Sequence, residues 1–362
     1  MAGSLKPGRT AGATTLANVQ ALRACAALFV VVGHGLRGNV MPLWIDASVP
    51  LFAYSGVDMF FVISGFIVSG AARRAGSTTA FRGRVLPALD FACRRIFRVF
   101  PLYWIVLALA IGFAGTLRIE PAGWPPKPSL LAMASLTTMW VTPLSAAWTL
   151  AFEIYFYAIL TLIILLAGAR VQPAIFAWMI IEIVWVNGKQ IGLGSLGLGG
   201  WGVSANPMIY EFGLGWLVSV LHDNTPRQIA GFVILLAAPF WAAGIWLTSV
   251  HGLLAPAPRV ATFGVGSALL LLALIDLEAS GHRAPAVLQR LGDASYSIYL
   301  WHMILFGLIY AEFGLHAWTF GLTICLLIGW SFISYALIEV PARRLGPRLL
   351  LLLPGVPMLQ PR

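Results

Sequence analysis

Charge is what this sequence has least of. Only 10% of its residues are Asp, Glu, Lys or Arg, against about 25% in soluble domains, which excludes a soluble catalytic domain of any size. Cysteine is scarce too. Cys25, Cys93 and Cys325 show no metal-ligand spacing and read as unpaired and structural. No glycine-rich phosphate loop, His/Glu metal motif or Gly-x-Ser-x-Gly elbow occurs, so no metal site and no tightly bound cofactor is expected. A small-residue cleavage site is missing near the N-terminus, so the first apolar run is expected to stay in place as a span.

Apolar surface is what the chain has in abundance. Hydrophobic residues make up 59% and the mean hydropathy is +0.87. Runs of about 20 apolar residues recur, the length a bilayer crossing requires. The sequence therefore predicts an all-α fold: a polytopic integral membrane helical bundle of about ten transmembrane helices. The spans fall near 19–36, 50–70, 99–117, 148–167, 173–188, 205–221, 228–248, 259–277, 292–311 and 317–338. Segment 118–147 is proline-rich, and its apolar part, Leu130 to Val141, is too short to cross comfortably, so a surface or re-entrant helix is expected there. The glycine-rich stretch 192–202 reads as loop or close packing.

A formal charge of +10 invites a nucleic-acid reading, but its placement follows topology. With the N-terminus cytoplasmic, only Arg37, Arg118, Lys127, Lys189 and Arg259 of the 23 basic residues fall outside. Both termini are thus expected in the cytoplasm, with the lipid bilayer rather than nucleic acid as partner. Three regions follow: a disordered cytoplasmic tail at 1–17, a transmembrane domain at 18–345 and a cytoplasmic C-terminal tail at 346–362.

Ionisable side chains inside such a background are expensive and therefore informative. Arg23 and His34 share a face of the first run, eleven residues or roughly 16 Å of rise apart. Arg23 can snorkel to the cytoplasmic edge, and a lone histidine at a helix end can be merely interfacial. Asp58 begins the second span, within plausible reach of His34, where a carboxylate would orient an imidazole acting as base; a water-facing carboxylate is the bland reading. Ser64 and Gly65 lie two turns deeper, serving either helix packing or a ligand's close approach. Arg94, Arg95 and Arg98 cluster at the mouth of the third span, and their guanidiniums could hold phosphates. Topology and anionic lipid account for them equally well. Glu153 lies one turn into the fourth span among aromatic residues, with Tyr157 on its face. It must pair with a cation, take up a proton or line a wet cavity. Glu211 and His302 are similar, weaker signals, and Glu339 is expected to pair with an arginine at the cytoplasmic surface.

Five stretches in order resemble the membrane acyltransferase-3 family: Arg23 with His34; Gly56-Val-Asp-Met-Phe-Phe-Val-Ile-Ser-Gly-Phe66; Arg94-Arg-Ile-Phe-Arg-Val-Phe-Pro-Leu-Tyr-Trp104; Trp148-Thr-Leu-Ala-Phe-Glu-Ile-Tyr-Phe-Tyr157; and Tyr296-Ser-Ile-Tyr-Leu-Trp-His302. The resemblance spans about 18–345, and the opening Asn18-Val-Gln-Ala-Leu-Arg23 looks like the exopolysaccharide-modifying subgroup. Two departures stand out: Gln20-Ala21-Leu22 replaces the Asp-Gly that many members carry before the first arginine, and the fused extracytoplasmic hydrolase-like domain of some members is not expected here. The resemblance implies a multi-pass protein of the bacterial inner membrane that moves an acyl group, usually acetyl, from cytosolic acetyl-CoA to a sugar of a surface polysaccharide. It implies His34 as the catalytic histidine, with Asp58 and Glu153 as the acidic members. Arg23, Arg94, Arg95 and Arg98 would bind or gate acyl-CoA, with Tyr103, Ser64, Tyr157 and His302 contributing to the substrate site. Partner proteins of a polysaccharide pathway are compatible with it. Two rivals stay open at this point: a proton-coupled transporter or flippase of a glycan or lipid intermediate, and a non-catalytic synthase subunit.

Overall fold

A computed structural model describes residues 16–36, 53, 55–76, 81–113, 129–138, 144–188, 202–224, 229–252 and 254–350. Among them every regular element is helical. In chain order these are α1 (Ala17–Gly35), α2 (Gly56–Ala75), α3 (Phe81–Gly112), the short α4 (Leu130–Ser135), α5 (Trp148–Ala167), α6 (Val171–Asn187), α7 (Ile209–Asn224), α8 (Ala230–His251), α9 (Pro256–Ala279), α10 (Ala286–Asp293), α11 (Ser295–Phe313) and α12 (Ala317–Leu350). The chain is an all-α polytopic membrane protein, as its composition predicts.

Each expected span overlaps one of these helices, yet seven described segments are long and apolar enough to cross, or eight if α10 and α11, bent by 66°, form one span. Two physical features make up much of the difference from ten. The run Trp148–Asn187 is a single 40-residue stretch by length, but Gly168, at φ 54°, breaks it. The Tyr155 hydroxyl donates to Glu182, and the Phe156 ring packs on Trp178 at 5.6 Å, so α6 folds back antiparallel on α5. Helix α7 has only 16 residues. The short α4 lies where a non-crossing helix is expected, whereas 192–202 lies outside the described residues, as does nearly all of the expected N-terminal tail. At the other end α12 runs on to Leu350, into the expected C-terminal tail.

Helix α1 sits at the centre. About two-thirds of it (67%) is buried, as is α9, whereas α8 and α12 bury 22% and present apolar side chains outward. That asymmetry places the polar side chains of α1 among neighbouring helices rather than lipid. Its first turn is fixed by Glu278 of α9, whose carboxylate accepts from the Ala17 and Asn18 amides at 2.9 and 2.8 Å. Asp276 accepts from the Ile229 and Ala230 amides at the start of α8. Both carboxylates satisfy amides that a helix start leaves without intrahelical partners.

Helices α2 and α7 cross with their backbones in contact. A Cβ on Gly65 would lie 2.1 Å from the Phe212 carbonyl oxygen, and one on Gly215 would lie 2.0 Å from that of Val62. Of the two uses open to Gly65 from the sequence, close helix packing is the one it serves. Such reciprocal small residues let membrane helices approach without a hydrophobic drive between them. Gly65→Val should push the helices apart and collapse the yield of monodisperse detergent-extracted protein in size-exclusion chromatography; a wild-type yield would contradict the packing.

Candidate functional site

Helices α1, α2, α3, α5 and α11 line a partly open cavity with about 580 Å³ of space, its open mouth included. Arg23 (α1), Ser64 (α2), Arg98 (α3) and Glu153 (α5) all line it, together with Thr149, Ser295, Tyr296 and Tyr299. Along α2 the lining runs from Val57 to Ile67, about 15 Å of helix rise. The cavity is therefore elongated, with arginines in one part and the Thr149–Tyr299 pair in another.

Arg23 is 5% exposed and does not snorkel. Its guanidinium donates to Gln20 Oε1 at 3.0 Å and to Ser295 Oγ at 2.9 Å, beside the α10–α11 bend. Gln20 in turn donates to Asp293 at 2.8 Å. Arg98 lies within electrostatic reach of Glu153, Glu339 and Tyr157, and Arg23 within reach of Arg98 and Arg343. Arg95 stacks its guanidinium over the Phe91 and Tyr157 rings at 5.5 and 5.7 Å. The Tyr157 hydroxyl donates to Glu153. Glu339 ends a π-helical turn of α12 (Tyr335–Glu339) and is 2% exposed. It accepts from Ser297 Oγ and pairs with Arg343, both at 2.5 Å. The expected Glu339–arginine pair thus exists, with its carboxylate buried and Arg343 partly exposed. Arg23, Arg95, Arg98 and Arg343 face Glu153 and Glu339, with Asp293 behind Gln20, so positive charge stays in excess. Such a cluster attracts an anion.

The end of α1 carries different chemistry. The His34 and His302 rings lie 5.0 Å apart, centroid to centroid. His34 Nδ1 is 2.9 Å from the Val30 carbonyl oxygen, and His302 Nδ1 is 2.5 Å from that of Tyr299. A carbonyl only accepts, so when neutral each ring keeps its proton on Nδ1 and presents Nε2 as the acceptor nitrogen. His302 is fully buried, and its Nε2 has no hydrogen-bond partner among the described residues. The Tyr299 ring packs on His302 at 5.7 Å, and its hydroxyl is held by Thr149 at 2.8 Å and by the Ala146 carbonyl at 2.7 Å. Tyr299 therefore stands between the cavity and the imidazoles.

Three sequence expectations need correction. Asp58 does not orient His34: it is fully buried, and both of its oxygens are taken by Arg259, at 3.1 and 2.6 Å. Glu211, also fully buried, lies against that pair. Arg94 does not join Arg98, because Asp90, one turn earlier, captures it at 2.8 Å on the exposed side of α3. Tyr103 lies outside the cavity lining; its hydroxyl donates to the Met133 carbonyl at 2.6 Å and pins α4 to α3. His34 itself is half-buried and lies behind Tyr299 and His302 rather than on the cavity wall. Sequence reasoning missed Arg259, Thr149, Ser295 and Tyr299, although Tyr299 stands inside a stretch singled out for His302.

The chain matches the model of an acyltransferase domain, Acyl_transf_3, over residues 16–338. It is 30% identical to the exopolysaccharide production protein ExoZ of Rhizobium meliloti over 268 residues, covering 68% of this chain and 75% of that one. Nodulation protein 10 of Rhizobium leguminosarum is 24% identical, with 91% and 93% covered. The O-acetyltransferase OatA of Staphylococcus aureus is 22% identical, with 94% of this chain and 59% of that one covered. No solved structure matches.

Proposed function

We propose, from the premise that this chain belongs to the acyltransferase-3 family and is a membrane acyltransferase, that it moves an acetyl group from cytosolic acetyl-CoA to a sugar hydroxyl of an extracellular polysaccharide. The observation that carries this reading is the elongated cavity that runs from an arginine cluster to Tyr299, whose ring packs on the first of two paired imidazoles. Arg23 and Arg98 would receive phosphates of the donor, and the extended thioester arm would follow the cavity past Ser64 and Glu153. Thr149 and Tyr299 mark where the arm would approach His302 and His34. His34 Nε2, held in its accepting form by the Val30 carbonyl, would take the acceptor's proton or carry the acyl group. The acceptor oxygen bonds to the acyl carbon, the carbon–sulfur bond breaks, and the proton leaves with the CoA thiol. Names of two relatives, an exopolysaccharide production protein and an O-acetyltransferase, favour a polysaccharide acceptor and acetyl as the group moved. The protein would lie in the bacterial inner membrane, crossing about ten times with both ends cytoplasmic.

Two measurements test the reading. Purified protein should consume labelled acetyl-CoA, and surface polysaccharide should lose its O-acetyl mass increments when the gene is deleted; proton-coupled glycan flux without thioester consumption would favour transport instead. The arginine assignment has its own test in KM for acetyl-CoA. Arg98→Ala should raise it about 10-fold or more, the scale of a lost charged hydrogen bond, while Arg94→Ala should leave it near wild type. Equal effects of the two would contradict the assignment.

A further inference from the structure

Two imidazoles packed ring against ring, each with Nδ1 on a backbone carbonyl, are more than a single proton transfer requires. Each ring is held in the same form independently, His34 by a carbonyl of α1 and His302 by one of α11. A centroid spacing of 5.0 Å lets one small group touch both rings. His302 is 0% exposed, and the absence of any described partner for its Nε2 costs free energy that packing alone does not explain. A hydroxyl brought to the site would satisfy it.

Resting on the acyltransferase reading above, we propose a division of labour: His34 carries the acyl group, and His302 is the base that frees it. In the first half-reaction His34 Nε2 attacks the thioester carbon. The carbon–nitrogen bond forms, the carbon–sulfur bond breaks, and CoA leaves as the thiolate. The acylated ring is cationic and keeps its Nδ1–H on the Val30 carbonyl. In the second, the acceptor hydroxyl attacks the acyl carbon while its proton passes to His302 Nε2. The ester forms, His34 returns to neutrality, and His302 gives its proton to the thiolate or to water. Tyr299 supports the arrangement from both sides, since its carbonyl fixes the His302 tautomer and its ring separates the pair from the cavity.

The test uses full-length protein in lipid nanodiscs with carbon-14-labelled acetyl-CoA, water serving as acceptor. His302→Asn keeps an N–H that can reach the Tyr299 carbonyl but removes the base. It should release CoA in a burst and accumulate about one hydroxylamine-labile acetyl group per chain, with steady turnover at least about 100-fold slower. His34→Asn should show neither burst nor label. Wild-type turnover in His302→Asn would overturn the division of labour, and so would loss of its burst in protein whose melting temperature and elution are unchanged. If His302→Asn is poorly folded, His302→Gln is read in the same way. Wild-type CoA release by His34→Asn would instead sink the acyltransferase assignment of His34, so the two failures are distinguishable.

Discussion

Replacing His34 with Ala should leave a folded protein that acetylates polysaccharide at least about 10³-fold more slowly, the scale of a lost catalytic imidazole. Folding should survive because His34 is half-buried near the end of α1 and its Nδ1 bonds its own helix. The surrounding α1 core, including Val30, Val31 and Gly33, is untouched by the truncation. Mass spectrometry of the polysaccharide reads the result, with detergent elution and melting temperature as controls. Retained O-acetylation would remove His34 from the chemistry, whatever else the cavity binds.

Arg259→Met should be the most destabilising change in the ionic interior. Asp58 and Glu211 are both fully buried, and Arg259, whose side chain is only 15% exposed, supplies the cation they share. Removing one member of a buried pair typically costs about 3–5 kcal/mol, because the remaining charge is stranded. Here two carboxyls would be stranded together. Asp58→Asn in the same chain removes one of them, so the double variant should recover most of the lost melting temperature. A double variant no better than Arg259→Met would show that Arg259 matters for another reason. The π-helical turn Val260–Gly264, which follows Arg259 directly and carries Gly264 against Glu211, makes that region the most sensitive to repacking.

How far the sequence reaches differs from residue to residue, for physical reasons. Arg23, Arg98, Ser64 and Glu153 line one cavity, and all four were visible because polar groups stand out in an oily chain. Helix type and position were legible for the same reason, since apolar run length is a local property. Partners are not local. Asp58 and Arg259 are 201 residues apart, and the charge-topology rule counts Arg259 as an outside charge without asking what it touches. Arg94 and Arg98 share a face by spacing, yet Asp90 on that same face takes the first and leaves the second to the cavity. Tyr103 belongs to a motif that says nothing of where its hydroxyl goes, and Met133 lies 30 residues onward. Gly168 and Arg170 mark in the sequence the fold-back between the spans at 148–167 and 173–188; length and hydropathy alone merge them into one 40-residue segment, and the positive φ of Gly168 locates the turn.

One measurement bears most directly on the claim that donor phosphates and imidazoles are joined by this cavity: a cryo-EM structure of the protein in nanodiscs with a non-hydrolysable thioether analogue of acetyl-CoA. The account predicts phosphate density against Arg23 and Arg98, a continuous arm past Ser64 and Glu153, and the acyl carbon within about 3.5 Å of His34 Nε2. An analogue seated elsewhere, with the cavity still closed between Tyr299 and His302, would contradict it.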